Sequence, residues 1–111
     1  MSKKDLIYQA LKSIEDNSFY GWTDYAKFPR CVFYLVSHSS KKLSNKRHLQ
    51  RLSYQVSYYS DYPLNVEDDA ELWRIIDALE SSGLITNDWR EVIDRDTDKN
   101  RTIYHYWLEV R

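Results

Sequence analysis

The sequence predicts a single α+β domain in which a mainly antiparallel four-stranded sheet carries its helices on one side, with the order α-β-β-α-β-β. The first observation is the stretch 50–62, where large apolar and small polar residues alternate at the period of a β-strand. The second is a pair of helical patterns, before residue 16 and between residues 65 and 83, that each carry one apolar stripe. The third is a closing pair of alternating segments around an acidic turn, which indicates a hairpin.

The composition is that of one domain spanning residues 1–111, long enough for a modest core. A formal net charge of −1 gives no whole-molecule attraction to nucleic acid or to a membrane surface. Ten tyrosines and four tryptophans are more than a small core hides, and these residues favour interfaces. The lone Cys31 excludes an intrachain disulfide. We expect no membrane span and no targeting segment.

The first part of the chain predicts a helix, an aromatic loop and a buried strand. Ser2 and Asp5 form a capping-box pattern, and an apolar stripe extends the helix from Lys3 to about Glu15. The segment 19–29 is an aromatic loop, whose side chains either fold over the open end of the sheet or meet a partner. Arg30–Ser37 is almost continuously apolar, as is typical of a central strand covered on both faces.

A long polar connection, residues 38–50, is expected before the alternating strand. Pro63 ends that strand because it has no N–H to donate to a ladder. A charge at Val56 should prevent soluble folding, whereas a charge at Ser57 should be tolerated on the polar face. The predicted core face is Leu52, Tyr54, Val56 and Tyr58, and the predicted polar face is Ser53, Gln55, Ser57 and Tyr59.

The last part of the chain predicts a helix and a hairpin. Asn65 is the expected cap of the second helix, and Gly83 is placed to end it. The closing strands are Trp89–Arg95 and Arg101–Val110, joined by the turn DTDKN. The buried stripe of the second helix is Leu72, Ile75, Ile76 and Leu79.

No catalytic, cofactor-binding or metal-binding set is predicted. Asp94, Asp96 and Asp98 have the spacing that opens an EF-hand loop, but Lys99 occupies the position that requires glycine. The three histidines lie far apart in sequence, without the spacing of a zinc site. Cys31 lies in an apolar strand and is expected to be a small buried hydrophobe rather than the nucleophile of a Cys–His pair.

The connection 38–50 is the strongly basic segment of the chain. It is either a solvated connection or a docking element for an acidic protein surface or a phosphate backbone. The residues between its cations are not aromatic, which argues against a platform for stacking bases. Our interface candidates are Lys41, Lys42, Lys46, Arg47, Trp22 and Tyr25.

Over nearly its whole length, the chain resembles the tail-terminator (tail-completion) proteins of long-tailed bacteriophages, the head-tail joining family. The resemblance begins with an opening helix and a strand that starts at Pro29, followed by a long polar loop. Related neck and minor tail components share much of this pattern. The segments that carry the resemblance are DLIYQALKSI, P-x-CVFY, LSYQVSYYSDYP, LWRIIDALESSGL and TIYHYWLEVR.

The resemblance implies a non-enzymatic structural protein of the virion that caps the tail tube, ends tail polymerisation and forms the interface to the head connector. It implies a ring of copies of this chain, commonly a hexamer, with the tail-tube protein and the head-connector (head-completion) protein as partners. DNA would pass through the ring without sequence-specific binding. The implied location is the head–tail interface, after assembly in the host cytoplasm, with no cofactor and no membrane.

Three alternatives remain open at this point. The first is a small phage- or bacterium-encoded binding protein, either an inhibitor or a nucleic-acid-binding regulator. The second is a neck or minor tail component, and the third is an enzyme with a scattered site. Electron microscopy of tube ends separates the structural role from the others, and salt-dependent binding to free DNA identifies the regulator.

Overall fold

A computed structural model describes residues 1–43 and 46–111, and describes only the course of the backbone in 41–43 and 46–50. The described residues form one small α+β domain with two helices and a five-stranded mixed sheet of order β1-β2-β3-β5-β4. The α+β prediction is confirmed, whereas the four-stranded antiparallel sheet was wrong by one strand, because β1 pairs in parallel with β2. The elements are α1 (Lys3–Ile14), β1 (Ser18–Tyr20), β2 (Arg30–Leu43), β3 (Lys46–Ser60), α2 (Ala70–Ser81), β4 (Arg90–Asp96) and β5 (Arg101–Val110).

The additional strand β1 lies where the sequence predicted the start of a loop. Its residues pair with Cys31–Phe33, and the N–H of Gly21 continues the pairing by donating to the carbonyl of Phe33 at 2.8 Å. The buried hydroxyl of Ser18 donates to the carbonyl of Glu15 at 2.6 Å, which satisfies it in the interior. Three residues are too few to display a period, so the sequence pattern could not reveal this strand.

The predicted polar connection 38–50 was wrong, because both strands of the central hairpin continue into it. β2 and β3 pair as far as Leu43↔Lys46, whereas β5 joins β3 only from Tyr54 onward. Residues 37–43 and 46–53 therefore project beyond the rest of the sheet as a two-stranded arm. The molecule is correspondingly long, with extents of 56 × 29 × 21 Å. Its radius of gyration of 15.5 Å exceeds the roughly 13 Å of a compact chain of this length.

Both helices pack on the same face of the sheet, where the core lies. The predicted apolar stripes of α1 and α2 are confirmed, and they meet Phe33, Val56 and Leu108 from three strands. The predicted core face of β3 is also confirmed, with Leu52 half-buried at its edge. Arg30–Ser37 was wrongly predicted to be covered on both faces, because residues 34–36 lie beyond β1 and the helices and are exposed.

The helix ends follow local hydrogen bonding. The capping box of α1 is confirmed, since the N–H of Asp5 donates to Ser2 Oγ at 3.1 Å. The predicted cap of α2 was wrong: Asp69, not Asn65, accepts the N–H of Leu72 at 3.0 Å. Asn65 instead closes the preceding turn by accepting from Glu67. Gly83 ends α2 as predicted, with a φ of +85° that favours glycine.

Candidate functional site: the uncovered sheet face

The face of the sheet that points away from the helices carries two rows of side chains that cross four strands. The register aligns Arg30, Tyr59, His105 and Val92 in the first row, and Val32, Ser57, Trp107 and Arg90 in the second. We call this surface the uncovered face. Its residues alternate with the core residues on the same strands, so the period that builds the core also brings these side chains together.

Three side chains of the first row form a ladder of planar groups. The Arg30 guanidinium lies 4.8 Å from the ring centre of Tyr59, which stacks on His105 at 4.4 Å with an interplanar angle of 15°. In the second row, the guanidinium of Arg90 lies 4.9 Å from the ring centre of Trp107. Cation–π contacts of this kind are worth about 0.5–1 kcal/mol at exposed sites. They hold the arginine side chains flat on the sheet.

The positive charge of Arg30 is not balanced by its surroundings. Phe28 lies over it at 4.5 Å and also over Arg101 at 5.0 Å, and Arg101 is paired with Asp96 at 3.3 Å. Among the described residues, Arg30 has no carboxylate within 4.0 Å, and its one hydrogen bond runs to the carbonyl of Lys27 at 3.4 Å. Burial lowers the pKa of Arg30; Tyr59 opposes this change, and the nearby charge of Arg101 adds to it. The guanidinium is therefore half-buried and uncompensated.

A shallow groove of about 250 Å³ opens beside Arg30. Val32 forms part of its lining with the rings of Tyr34 and Tyr59, and the interface candidate Trp22 contributes a fourth side. Trp22 is 79% exposed, which is the behaviour expected of a residue that meets a partner. Gly21, with a φ of +81°, makes the turn that carries Trp22 to this position.

The other aromatic residues of the segment 19–29 behave differently from Trp22. Phe19 packs on Tyr25 with ring centres 5.6 Å apart, and Phe28 covers Arg30. Of the two expectations for this segment, folding over the sheet describes Phe28, whereas Phe19 and Tyr25 pack on each other. The interface candidate Tyr25 is half-buried against Phe19, so the structure does not place it in the groove lining with Trp22.

The four basic interface candidates lie on the arm. The backbone register places Lys41 opposite His48, and Lys42 opposite Arg47. Their side chains lie outside the part of the chain that the structure describes, so their predicted contacts stay predictions. The structure brings these positions together on one hairpin, but it separates them from Trp22 and Tyr25 by the length of β2.

The acids between residues 67 and 71 lie at the other end of the sheet from the arm, because they follow β3 where the strand leaves the sheet. Asp69 caps α2, and the half-buried carboxylate of Glu71 accepts a hydrogen bond from the Tyr58 hydroxyl. Burial raises the pKa of Glu71, although the bond from Tyr58 opposes that change. Glu67 and Asp68 are exposed. Two of these acids therefore serve the fold, and two are free to meet solvent or a partner.

The structure does not bring Cys31 and His105 together as a Cys–His pair. Burial raises the pKa of Cys31, which lies on the helix side of the sheet, whereas His105 lies on the uncovered face. Among the described side chains, no group of three or more His, Cys, Asp or Glu residues is arranged to hold a metal ion. No helix of the described residues is long and apolar enough to cross a membrane.

The sequence reasoning missed Arg30, Tyr59, His105 and Trp107 as members of one surface. A signal was present, since His105 and Trp107 alternate with core residues of β5. Their neighbours across the sheet depend on register, however, which a single strand does not specify. No protein-family model matches the chain, and no curated protein matches its sequence.

Proposed function

We propose that this protein is a structural component of a bacteriophage virion that caps the tail tube as a ring, ends tail polymerisation and forms the interface to the head connector. The observation that carries the proposal is the arm, a two-stranded ribbon that projects from a sheet whose other strands end earlier. An isolated hairpin is marginally stable in water. An arm of this kind gains its ordering from a partner, as a component of an assembly does.

The charges of the chain support docking through the arm. Its sequence places Lys41, Lys42, Lys46 and Arg47 near the tip, whereas acids cluster at the opposite end of the sheet. Copies arranged side by side in a ring would direct all arms to one side of the ring. Repetition matters because one exposed ion pair contributes only about 0–1 kcal/mol, whereas a ring repeats the contact at every copy.

The proposed partners follow from this arrangement. Copies of the chain form the ring, a hexamer as in the resembling family, and repeated heterologous contacts close when the rotation permits. The tail-tube protein lies on one side of the ring and the head-connector (head-completion) protein on the other. DNA passes through the channel without sequence-specific binding. In this role the protein catalyses no reaction and holds no cofactor, and it works at the head–tail interface after assembly in the host cytoplasm.

The test is a capping assay with purified protein and tail-tube protein. We expect light scattering to record a shift from monomer to ring as the concentration rises. We also expect electron microscopy to show rings at tube ends and shorter tubes when the protein is present during polymerisation. A chain that stays monomeric at all concentrations and leaves tube ends bare and tube lengths unchanged would overturn the proposal.

One observation favours a second candidate, a nucleic-acid-binding regulator. The groove combines the rings of Trp22, Tyr34 and Tyr59 with the cation of Arg30, and single-stranded nucleic acids bind to stacked aromatics beside positive charge. Fluorescence anisotropy with labelled single-stranded DNA, repeated over a range of salt concentrations, distinguishes the two. Tight binding that weakens steeply with salt and is lost in Trp22→Ala would favour the regulator.

A further inference from the structure

The groove beside Arg30 has the chemistry of a site for a carboxylate with an aromatic neighbour. A guanidinium has five N–H donors in a fixed fork that matches a carboxylate. The rings of Phe28 and Tyr59 pack on Arg30 and fix this fork, and a single bond to the carbonyl of Lys27 uses one donor. The remaining donors lie at a groove whose lining includes the aromatic residues Trp22, Tyr34 and Tyr59.

The surrounding charges favour a carboxylate over a phosphate. Arg101, whose charge acts on Arg30, is already paired with Asp96. Asp94 lies in the same neighbourhood, since it influences the pKa of both Tyr59 and His105. This leaves one unpaired positive charge at Arg30, which a single carboxylate neutralises. A phosphate chain prefers several free cations. The volume of about 250 Å³ suits one inserted side chain rather than an extended ligand.

The chain itself presents the matching group at the tip of the turn after β3. Six aromatic side chains of the described residues are exposed, and Tyr62 is the one that directly follows an exposed acid, Asp61. Tyr62 is 62% exposed. Its backbone is nevertheless fixed, because the buried Ser60 hydroxyl accepts its N–H at 3.2 Å and donates to its carbonyl at 2.7 Å. A fixed backbone lowers the entropy cost of binding, because only the aromatic side chain is left to be ordered.

We propose that Tyr62 of one copy inserts into the groove of the next copy, between Trp22 and Tyr34, while Asp61 binds the fork of Arg30. This contact rests on the proposed ring and names the surfaces through which its copies meet. It is heterologous, because the groove and the Asp61–Tyr62 turn are different surfaces of the chain. The exposed Trp22 and Tyr62 serve as its aromatic anchors.

The test is cross-linking, with a short bis-maleimide, between two variants that each carry one added cysteine. Thr23→Cys labels the groove lining, and Pro63→Cys labels the residue next to Tyr62, so neither variant removes an anchor. Cys31 is fully buried and does not react in the folded chain. We expect cross-linked dimers when the two variants are mixed. The matched control mixes Thr23→Cys with Asp77→Cys, an exposed position on α2, and should give none.

A second measurement uses self-association itself. We expect Asp61→Asn and Tyr62→Ser each to weaken association about tenfold, which is the size of a modest hot spot. Arg30→Lys should do the same, because it keeps the charge and loses the fork. Rings that form without the mixed cross-link, and that Asp61→Asn leaves unchanged, would overturn this contact but not the tail-cap proposal. Cross-linked copies that never occupy tube ends would support the contact and overturn the tail-cap proposal.

Discussion

His105 stacks on Tyr59 in the uncovered face, and its Nε2 atom is buried without a hydrogen-bond partner among the described residues. Burial lowers the pKa of its imidazole, although the carboxylate of Asp94 opposes this. The folded chain therefore holds the neutral ring, and protonation favours the unfolded chain, in which the pKa of histidine is about 6.5. We expect this contribution to stability to be complete above about pH 6.5 and to be lost as the pH falls below it.

Chemical denaturation between about pH 5 and 8 measures this effect. His105→Gln should flatten the fall in stability on the acid side, whereas the control His38→Gln, on the arm, should retain it. Glu71 has a raised pKa, so its contribution is lost as the pH rises, and comparison of the two histidine variants removes it. Equal pH profiles for the wild type and His105→Gln would contradict the prediction.

Ser57 is only 1% exposed, although the alternating pattern assigned it to a tolerant polar face. The register places it between Val32 and Trp107, whose larger side chains cover it. We now expect Ser57→Asp to leave an unpaired charge in the interior and to cost about 3–5 kcal/mol in the free energy of unfolding, as Val56→Asp also should. Thermal unfolding measures this, with the half-buried Ser53→Asp as the milder control on the same strand. A melting temperature for Ser57→Asp equal to that of the control would show that the site admits water.

At the scale of elements, the parts that could be predicted are those where burial imposes a period. The stripes of α1 and α2 and the core face of β3 fit their periods, because each packs on the same core. The arm has no such period, since it lies beyond the helices and its pairing contains irregularities near Val36 and Ser40. A strand without a buried face looks like a polar loop in sequence.

The candidate site could be predicted only in part for the same reason. Trp22 was named because the aromatic side chains of 19–29 that do not fold over the sheet are expected to meet a partner, and Trp22 is exposed. The surroundings of Arg30 need Tyr59, which register places opposite it on β3, and Phe28, which the loop before β2 folds over it. Neither placement can be read from a single segment of the sequence. The cap of α2 was misassigned because Asn65 and Asp69 are equally good residue types for a cap.

At the scale of the whole molecule, positive and negative charge are separated along the long axis. The arm carries five of the 16 Lys and Arg residues of the sequence and no Asp or Glu, and the exposed acids Glu67 and Asp68 lie beyond the other end of β3. The net charge of −1 conceals this separation. An acidic surface, on the tube or on a neighbouring copy, would neutralise the arm, and the attraction would weaken with salt over a screening length of about 8–10 Å.

A quadruple variant tests the arm by changing Lys41, Lys42, Lys46 and Arg47 to Ser. The segment that carries these residues has few apolar side chains to anchor it, so the melting temperature should change little. Tube-end occupancy should fall, most visibly at low salt, because the unscreened attraction is lost. A matched control removes the same charge elsewhere, through Lys12, Lys27, Arg74 and Lys99 to Ser.

Two measurements on this variant separate the surfaces that the arm can meet. Rings that form normally but leave tube ends bare would place the acidic partner of the arm on the tube. Rings that fail to form would place the acidic partner of the arm on the neighbouring copy, as a second contact in addition to the one proposed for Tyr62. Unchanged ring formation and unchanged occupancy would contradict a docking role for the arm. A large drop in melting temperature would instead show that the cations of the arm stabilise the fold itself, because only a structural contact in the monomer changes its unfolding.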